Sequence, residues 1–440
     1  MTPGGPTGGK DGGRKGPASG ERSGEQAADA MRKLLPAIRD RASMAGRPLP
    51  RERTALSIWF WEIDRVLLAL IVVLIAIGLV AVAAASPVAA IDRSTSSVAV
   101  NPLHYFYRQI LWVGAGLVVM LFVSMLPRQE ARRLAMGMAV FFSLLLMLVP
   151  VIGTEVNGAY RWIGSGMLRF QPSEFLKPVY VVTLAWMLSL RAKDKSLPVI
   201  PLSGAMTAVI GGLLMKQPDF GQTVIFLGVW AVLLMLSGIS MKAIGGLIGA
   251  GVGGLALMYL LYDNGRDRIN QFLGLSADAA GGPTQVDLAR STITSGGLMG
   301  VGPGGGQAKF HLPEAHTDYI FSVVGEEFGL LACIAIALVY LAIVVRVLLR
   351  LLDEDEPFIV LASAGLVAQM AIQAIINMGV NTQLFPSKGM TLPFISYGGS
   401  SMIALSIGVG LLLAFTRRNP YMAKTPYGQR ASYAPQWSGR

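Results

Sequence analysis

The hydrophobic positions of this chain are continuous rather than alternating. Ten stretches nearly free of charge fall at about 66–86, 109–126, 134–152, 173–190, 197–215, 222–238, 243–262, 319–345, 358–379 and 391–415. A helix needs about 20 apolar residues to cross a bilayer. The pattern therefore predicts an all-α polytopic membrane protein with ten spans. A β-barrel is disfavoured, because its strands would alternate. The longest polar interruption, 263–318, lies between the seventh and eighth spans.

The polar ends predict the orientation. Residues 1–58 are rich in Gly, Pro, Ser, Arg and Lys and read as a disordered basic tail. The first apolar run begins near Val66 behind that tail, which argues against a signal peptide. Within the tail, "ADAMRKLLPAIRD" could touch an anionic leaflet, although a plain tail explains it equally simply. "WFWE" at 59–62 has the composition of an interfacial anchor. Arg128, Arg132, Arg133, Arg191, Lys193, Lys195, Lys242, Arg346, Arg350, Arg417 and Arg418 fall between alternate spans or after the last one. By the positive-inside rule that side is cytoplasmic, and so are both termini, including a second tail at 419–440. The span domain is then 59–418, and its outer side carries 87–108, 153–172, 216–221, 263–318 and 380–390.

Composition agrees and narrows the classes. The 440 residues are 53% hydrophobic and 14% charged, against about a quarter charged in globular domains. The net charge of +11 would suit a nucleic-acid binder, but the basic residues lie in tails and short loops, and no nucleic-acid module accompanies them. The single cysteine, Cys333, sits in an apolar run and suggests no thiol chemistry.

Candidate chemistry gathers on the outer side. "GTEVNGAYRWIGSGMLRFQPSEFLKP" carries Asn157, Arg161, Gln171, Glu174 and Lys177, all costly near hydrocarbon. Glu174 and Lys177 share a helix face, as a structural ion pair near Pro172 and Ser173 or as part of a substrate lining. Asp219 precedes a span, where capping alone would explain it. "SGGLMGVGPGGGQ" could be merely flexible, or could present backbone N–H groups to a lipid diphosphate. In "HLPEAHTDYIFSVVGEE", Glu314, His316 and Asp318 would share one face of an extended segment. With His311 they could hold a divalent ion, but no metalloenzyme signature is present. Asp318 is either a general base with raised proton affinity or a helix cap, with Thr317 as the other capping candidate. Glu326 and Glu327 follow within the eighth span and suggest helix packing or support of the site. Lys388, the only charge between Glu356 and Arg417, could meet an anionic headgroup in "NTQLFPSKGMTLPFISYGGSS".

Together "NGAYRWI", "RFQPSEFLK", "QPDFGQT", "SGGLMGVG", "LPEAHTDYIFSVVGEEFG" and "KGMTLPFISYGGSS" resemble the FtsW/RodA (SEDS) family, in family order from about Val66 to Arg418. The wording around "PEAHTD" and Lys388 is closer to the division (FtsW-like) branch than to the elongation branch. The loop "GLSADAAGGPTQ" departs from the family wording, as does Leu288 in place of an expected glutamine.

The resemblance implies a peptidoglycan glycosyltransferase that polymerises lipid II on the outer face of the cytoplasmic membrane at the division septum. Asp318 matches the family's essential aspartate. Arg161, Gln171, Glu174, Lys177, Glu314, His316 and Lys388 would surround the substrate. Undecaprenyl diphosphate would be the leaving group and a class B penicillin-binding transpeptidase the partner, alongside other division proteins. A divalent cation, magnesium or manganese, is the one cofactor suggested. The alternatives are a lipid II flippase and a non-catalytic scaffold for the transpeptidase.

Overall fold

The computed structural model describes residues 55–93, 100–156, 159–166, 169–261, 263–272, 284–386 and 389–417. Asn157, Lys388 and most of both expected tails, including the amphipathic piece, lie outside the described residues. The described residues are mostly helical, and each of the ten expected spans has a helix. These are α2 (Arg65–Arg93), α3 (His104–Met125), α4 (Arg128–Ile152), α5 (Pro172–Ser189), α6 (Val199–Lys216), α7 (Phe220–Leu236), α8 (Met241–Leu261), α11 (Ile320–Leu351), α12 (Pro357–Asn381) and α13 (Gly399–Thr416). Preceding them is α1 (Ala55–Glu62). Among the described residues, eight helices are long and apolar enough to cross a membrane, and α7 is a shorter apolar one.

Local chemistry sets the helix starts. Asp64 accepts the amides of Val66 and Leu67 ahead of α2. Pro172 occupies the first turn of α5, where its missing N–H costs nothing. Asp219 accepts the Gln222 amide ahead of α7.

The expected outer loop 263–318 is more structured than its composition suggested. It contains α9 (Asp263–Phe272) and α10 (Gln285–Ser295), the latter begun by a reciprocal Thr284–Asp287 capping box. The stretch after α4 folds into a hairpin of β1 (Thr154–Val156) and β2 (Ala159–Trp162).

Several helices run past the expected boundaries, and two spans also differ in form. The eighth, α11, reaches Leu351 and is broken at Gly329, whose backbone leaves helical geometry at φ 81°. The glycine-rich segment 296–302 fills the break. There Val301 and Gly302 donate to Glu326 and Glu327 carbonyls, and Leu330 and Leu331 donate back to Gly297 and Leu298. Any Cβ at Gly329 would lie 2.4 Å from the Gly300 nitrogen. In this loop the amides of Gly300, Val301, Gly302 and Gly305 are bonded to carbonyls of the chain itself, so those four are not the ones free to meet a diphosphate.

The tenth span begins at Gly399 rather than near 391. Residues 389–398 form an irregular re-entrant segment instead, with Leu392, Phe394 and Ile395 buried. Irregular backbone at such depth needs protein partners. Side chains supply them: Gln373 donates to the Thr391 carbonyl, Asn377 to Met390, Tyr340 to Pro393 and Gln109 to Ser396. Gly78 of α2 makes room, because a Cβ there would sit 2.3 Å from the Phe394 oxygen.

Candidate active site

One end of the bundle collects the polar side chains that the sequence singled out. Arg161 on β2 donates through Nε to the Gln217 carbonyl at 3.0 Å and through Nη2 to that of Pro218 at 2.5 Å. It thereby pins the turn before α7. Gln171 donates to Asp219 Oδ2 at 2.8 Å. Burial raises the proton affinity of Asp219, and the Arg161 charge opposes that rise.

Asp219 leads into a buried relay. Gln222 donates to Glu174 Oε1, Glu174 Oε2 pairs with Lys177 Nζ at 2.9 Å, and Lys177 donates to Gln373 Oε1 at 2.9 Å. Gln373 continues to Thr391, whose hydroxyl meets that of Ser401 at 2.9 Å. Glu174 and Lys177 are 6% and 2% exposed, so this pair ties α5 to α12 from inside the bundle. A lone charge there would be costly; each finds its opposite.

The stretch 313–319 is a series of turns, not an extended strand, and Glu314 has φ 53°. The expected common face of Glu314, His316 and Asp318 is therefore absent. Glu314 is exposed and accepts the Thr317 hydroxyl at 2.8 Å. His316 turns into an aromatic group, 4.6 Å from the Tyr105 ring and 5.5 Å from Tyr397 by centroids. Burial lowers its pKa to about 4, with Glu314 opposing and Arg93 assisting, so it is neutral at pH 7.

Asp318 is half-buried at the entry to α11. It does not cap that helix: the cap position is Tyr319, and no side chain caps it. Thr317 does not cap it either, since its hydroxyl is turned back to Glu314. Among the described residues the Asp318 carboxylate accepts no hydrogen bond. It lies against Gly389, where a Cβ would come 3.1 Å from Oδ2. Burial, then the Glu314 charge, raises its pKa to about 7; Arg161 opposes them, and Asp219 and Glu174 add to the rise. These influences show that Arg161, Asp219, Glu174 and Asp318 share one electrostatic environment. A carboxyl poised near neutrality is suited to proton transfer.

The remaining candidates divide. Glu326 accepts the amides of Ala308 and Lys309, and Glu327 forms a close ion pair with Lys309, which also donates to the Ala84 carbonyl. They secure the loop to α2 and α11, in line with the packing role expected of them. His311 is exposed, and among the described residues no three His, Cys, Asp or Glu side chains are grouped to hold a metal. Sequence reasoning missed Lys309, Gln373, Asn377 and Asn381. Buried amides at i, i+4 and i+8 within a span were the available signal for the last three.

Fold and site together define a multi-pass helical membrane protein with a protonatable carboxylate at one end of the bundle that accepts no hydrogen bond among the described residues. The cell cycle protein family FtsW/RodA/SpoVE matches residues 64–421, and the chain belongs to that family. It is 36% identical over 379 residues to a probable peptidoglycan glycosyltransferase FtsW of Caulobacter vibrioides, covering 86% of this chain and 95% of that one. Among solved structures it is similar to a chain from work on the structural coordination of polymerization and crosslinking by a peptidoglycan synthase complex. That match has a TM-score of 0.64 at 28% identity and covers 80% of this chain and 97% of the other. It is also similar to the rod shape determining protein RodA of Thermus thermophilus, with a TM-score of 0.59, 29% identity, and 80% and 96% of the two chains covered.

Proposed function

We propose that the chain is a peptidoglycan glycosyltransferase of the division type, polymerising lipid II with Asp318 as general base. The observation that carries this reading is the state of that carboxylate: it caps nothing, accepts no hydrogen bond among the described residues and has a pKa of about 7. Asp318 removes the proton from the 4-hydroxyl of the acceptor sugar as that oxygen attacks the anomeric carbon of the growing chain. Undecaprenyl diphosphate leaves, and an α-linked donor becomes a β-linked product, so configuration inverts. Diphosphate is a good leaving group, and cations can stabilise it in place of a general acid. Arg161 or Lys388 is the candidate for that role, and the field of Arg161 reaches Asp318. Gln171, Glu174, Lys177, Glu314 and His316 shape the surroundings.

The residues at hand do not by themselves make a metal site, since among those described no three ligating side chains converge. No step is routed through a metal. The reading places the Asp318 end of the bundle outside the cytoplasm, both termini inside, and the protein at the septum with a class B penicillin-binding transpeptidase.

The test is lipid II polymerisation by the purified protein with its transpeptidase, wild type beside Asp318→Asn, read as glycan length. Loss of product from a folded, partner-bound Asp318→Asn protein is expected. Wild-type product from it would overturn the general-base assignment. Lipid II crossing vesicles without being polymerised would replace the enzyme with a flippase.

A further inference from the structure

The catalytic reading assigns no work to the amides of α12. Gln373, Asn377 and Asn381 recur every four residues and so line one helix face. They are 0%, 2% and 0% exposed. Gln373 joins Lys177 to Thr391, as described. Asn381 accepts both the amide and the hydroxyl of Ser322 and donates to the Asp318 carbonyl at 3.2 Å. Asn377 stands between them. Its Nδ2 donates to the Asp318 carbonyl at 2.8 Å and to the Met390 carbonyl at 2.6 Å. An amide has two N–H donors, and both are used. The opposite amide orientation would set an oxygen against two oxygens.

One side chain therefore grips two segments far apart in sequence, the turn carrying Asp318 and the re-entrant segment. The second grip is one residue from Gly389, the glycine against which the Asp318 carboxylate rests. Helical geometry alone does not set that separation, because neither segment is helical at the contact. We propose that Asn377 is the positioning residue that fixes the gap between the Asp318 carboxylate and the re-entrant segment starting at Gly389. The inference rests on the reading of Asp318 as the base.

A residue that merely stabilises the fold lowers the folded fraction and leaves the pH midpoint of the rate per folded molecule in place. A residue that places Asp318 also alters the carboxylate's surroundings. The groups that face Asp318 are Glu314 on its own turn, Arg161 of β2, Asp219 ahead of α7 and Glu174 of α5. None is touched by a change at 377. Freed from its seat, the carboxylate takes up water, and its proton affinity falls toward the ordinary carboxylate value.

The experiment is the pH–rate profile of lipid II polymerisation by the full chain with its transpeptidase, for wild type, Asn377→Leu and Asn377→Gln. The second variant keeps both donors but displaces them by one methylene. The expected result in a folded variant is an acidic midpoint lowered by about one pH unit. With it, kcat falls about tenfold while KM for lipid II changes less than about threefold. An unmoved midpoint with a uniform loss, or no loss at all, overturns the inference. So does failure of both variants to fold, which would mark Asn377 as purely structural. Asp318→Asn in the same series separates the two readings. If it polymerises normally, the base assignment falls; if it is inactive while the Asn377 midpoints stay put, only the positioning role falls.

Discussion

Two aspartates of this chain sit just ahead of long helices, and their surroundings are opposite. Asp64 leads into α2 and is 3% exposed. It accepts two backbone amides, with Arg346 at 2.9 Å and Arg350 at 3.4 Å. Asp318 leads into α11, accepts no hydrogen bond among the described residues and feels the carboxylates of Glu314, Asp219 and Glu174. Asp64 both caps α2 and ties it to α11 through the two arginines. Asp318 is left with the free energy of an anion that its site does not fully solvate. A carboxylate is structural or reactive according to what compensates it, not according to its place before a helix.

Substitutions break this comparison most sharply at Asp318. Asp318→Asn is expected to lower the polymerisation rate about 10²- to 10⁴-fold, the usual scale for loss of a general base, checked by single-turnover glycan synthesis. Asp64→Ala is expected to cost on the order of 3 kcal/mol, since it removes the carboxylate that Arg346 and Arg350 share. The partial exposure of Arg346 moderates that figure. Thermal unfolding in detergent measures it, with activity per folded molecule largely retained.

A smaller effect concerns stability and its sign. The folded-state pKa of Asp318 is raised to about 7 from 3.8, so ionisation destabilises the fold. The penalty is absent below the unfolded value, grows between the two values and is complete above about pH 7. Asp318→Asn should therefore melt higher than wild type at pH 8, and the difference should vanish near pH 4. Smallest is Glu314→Gln, which removes the second cause of the raised pKa. It should move the acidic limb of the rate profile to lower pH by a fraction of a unit, with little change in the plateau.

The positions and order of the apolar helices were legible because continuous apolar runs leave few alternatives in a bilayer, whereas α9 and α10 in the polar loop were not. Asp318 was legible only as one of two readings, and Tyr319 at the cap position with Thr317 turned away removes the capping one. That Glu314, His316 and Asp318 share no common face was not legible, because the turn at Glu314 goes with packing of 313–319 against 389–398. The start of α13 was misjudged for a related reason. "MTLPFISYGG" is apolar enough to pass for span, and its backbone bonds are made by side chains of other helices, from Asn377, 13 positions away, to Gln109, 287 positions away. Periodicity along one segment carries no record of such distant donors.

Those donors give the re-entrant segment an unusual kind of heredity. Its shape is cast by Gln109, Tyr340, Gln373 and Asn377, with space granted by Gly78, so it is written in four other helices as much as in its own residues. Transplanting "KGMTLPFISYGGSS" alone into another scaffold would carry the words without the grammar. The transferable unit is the segment together with its mould.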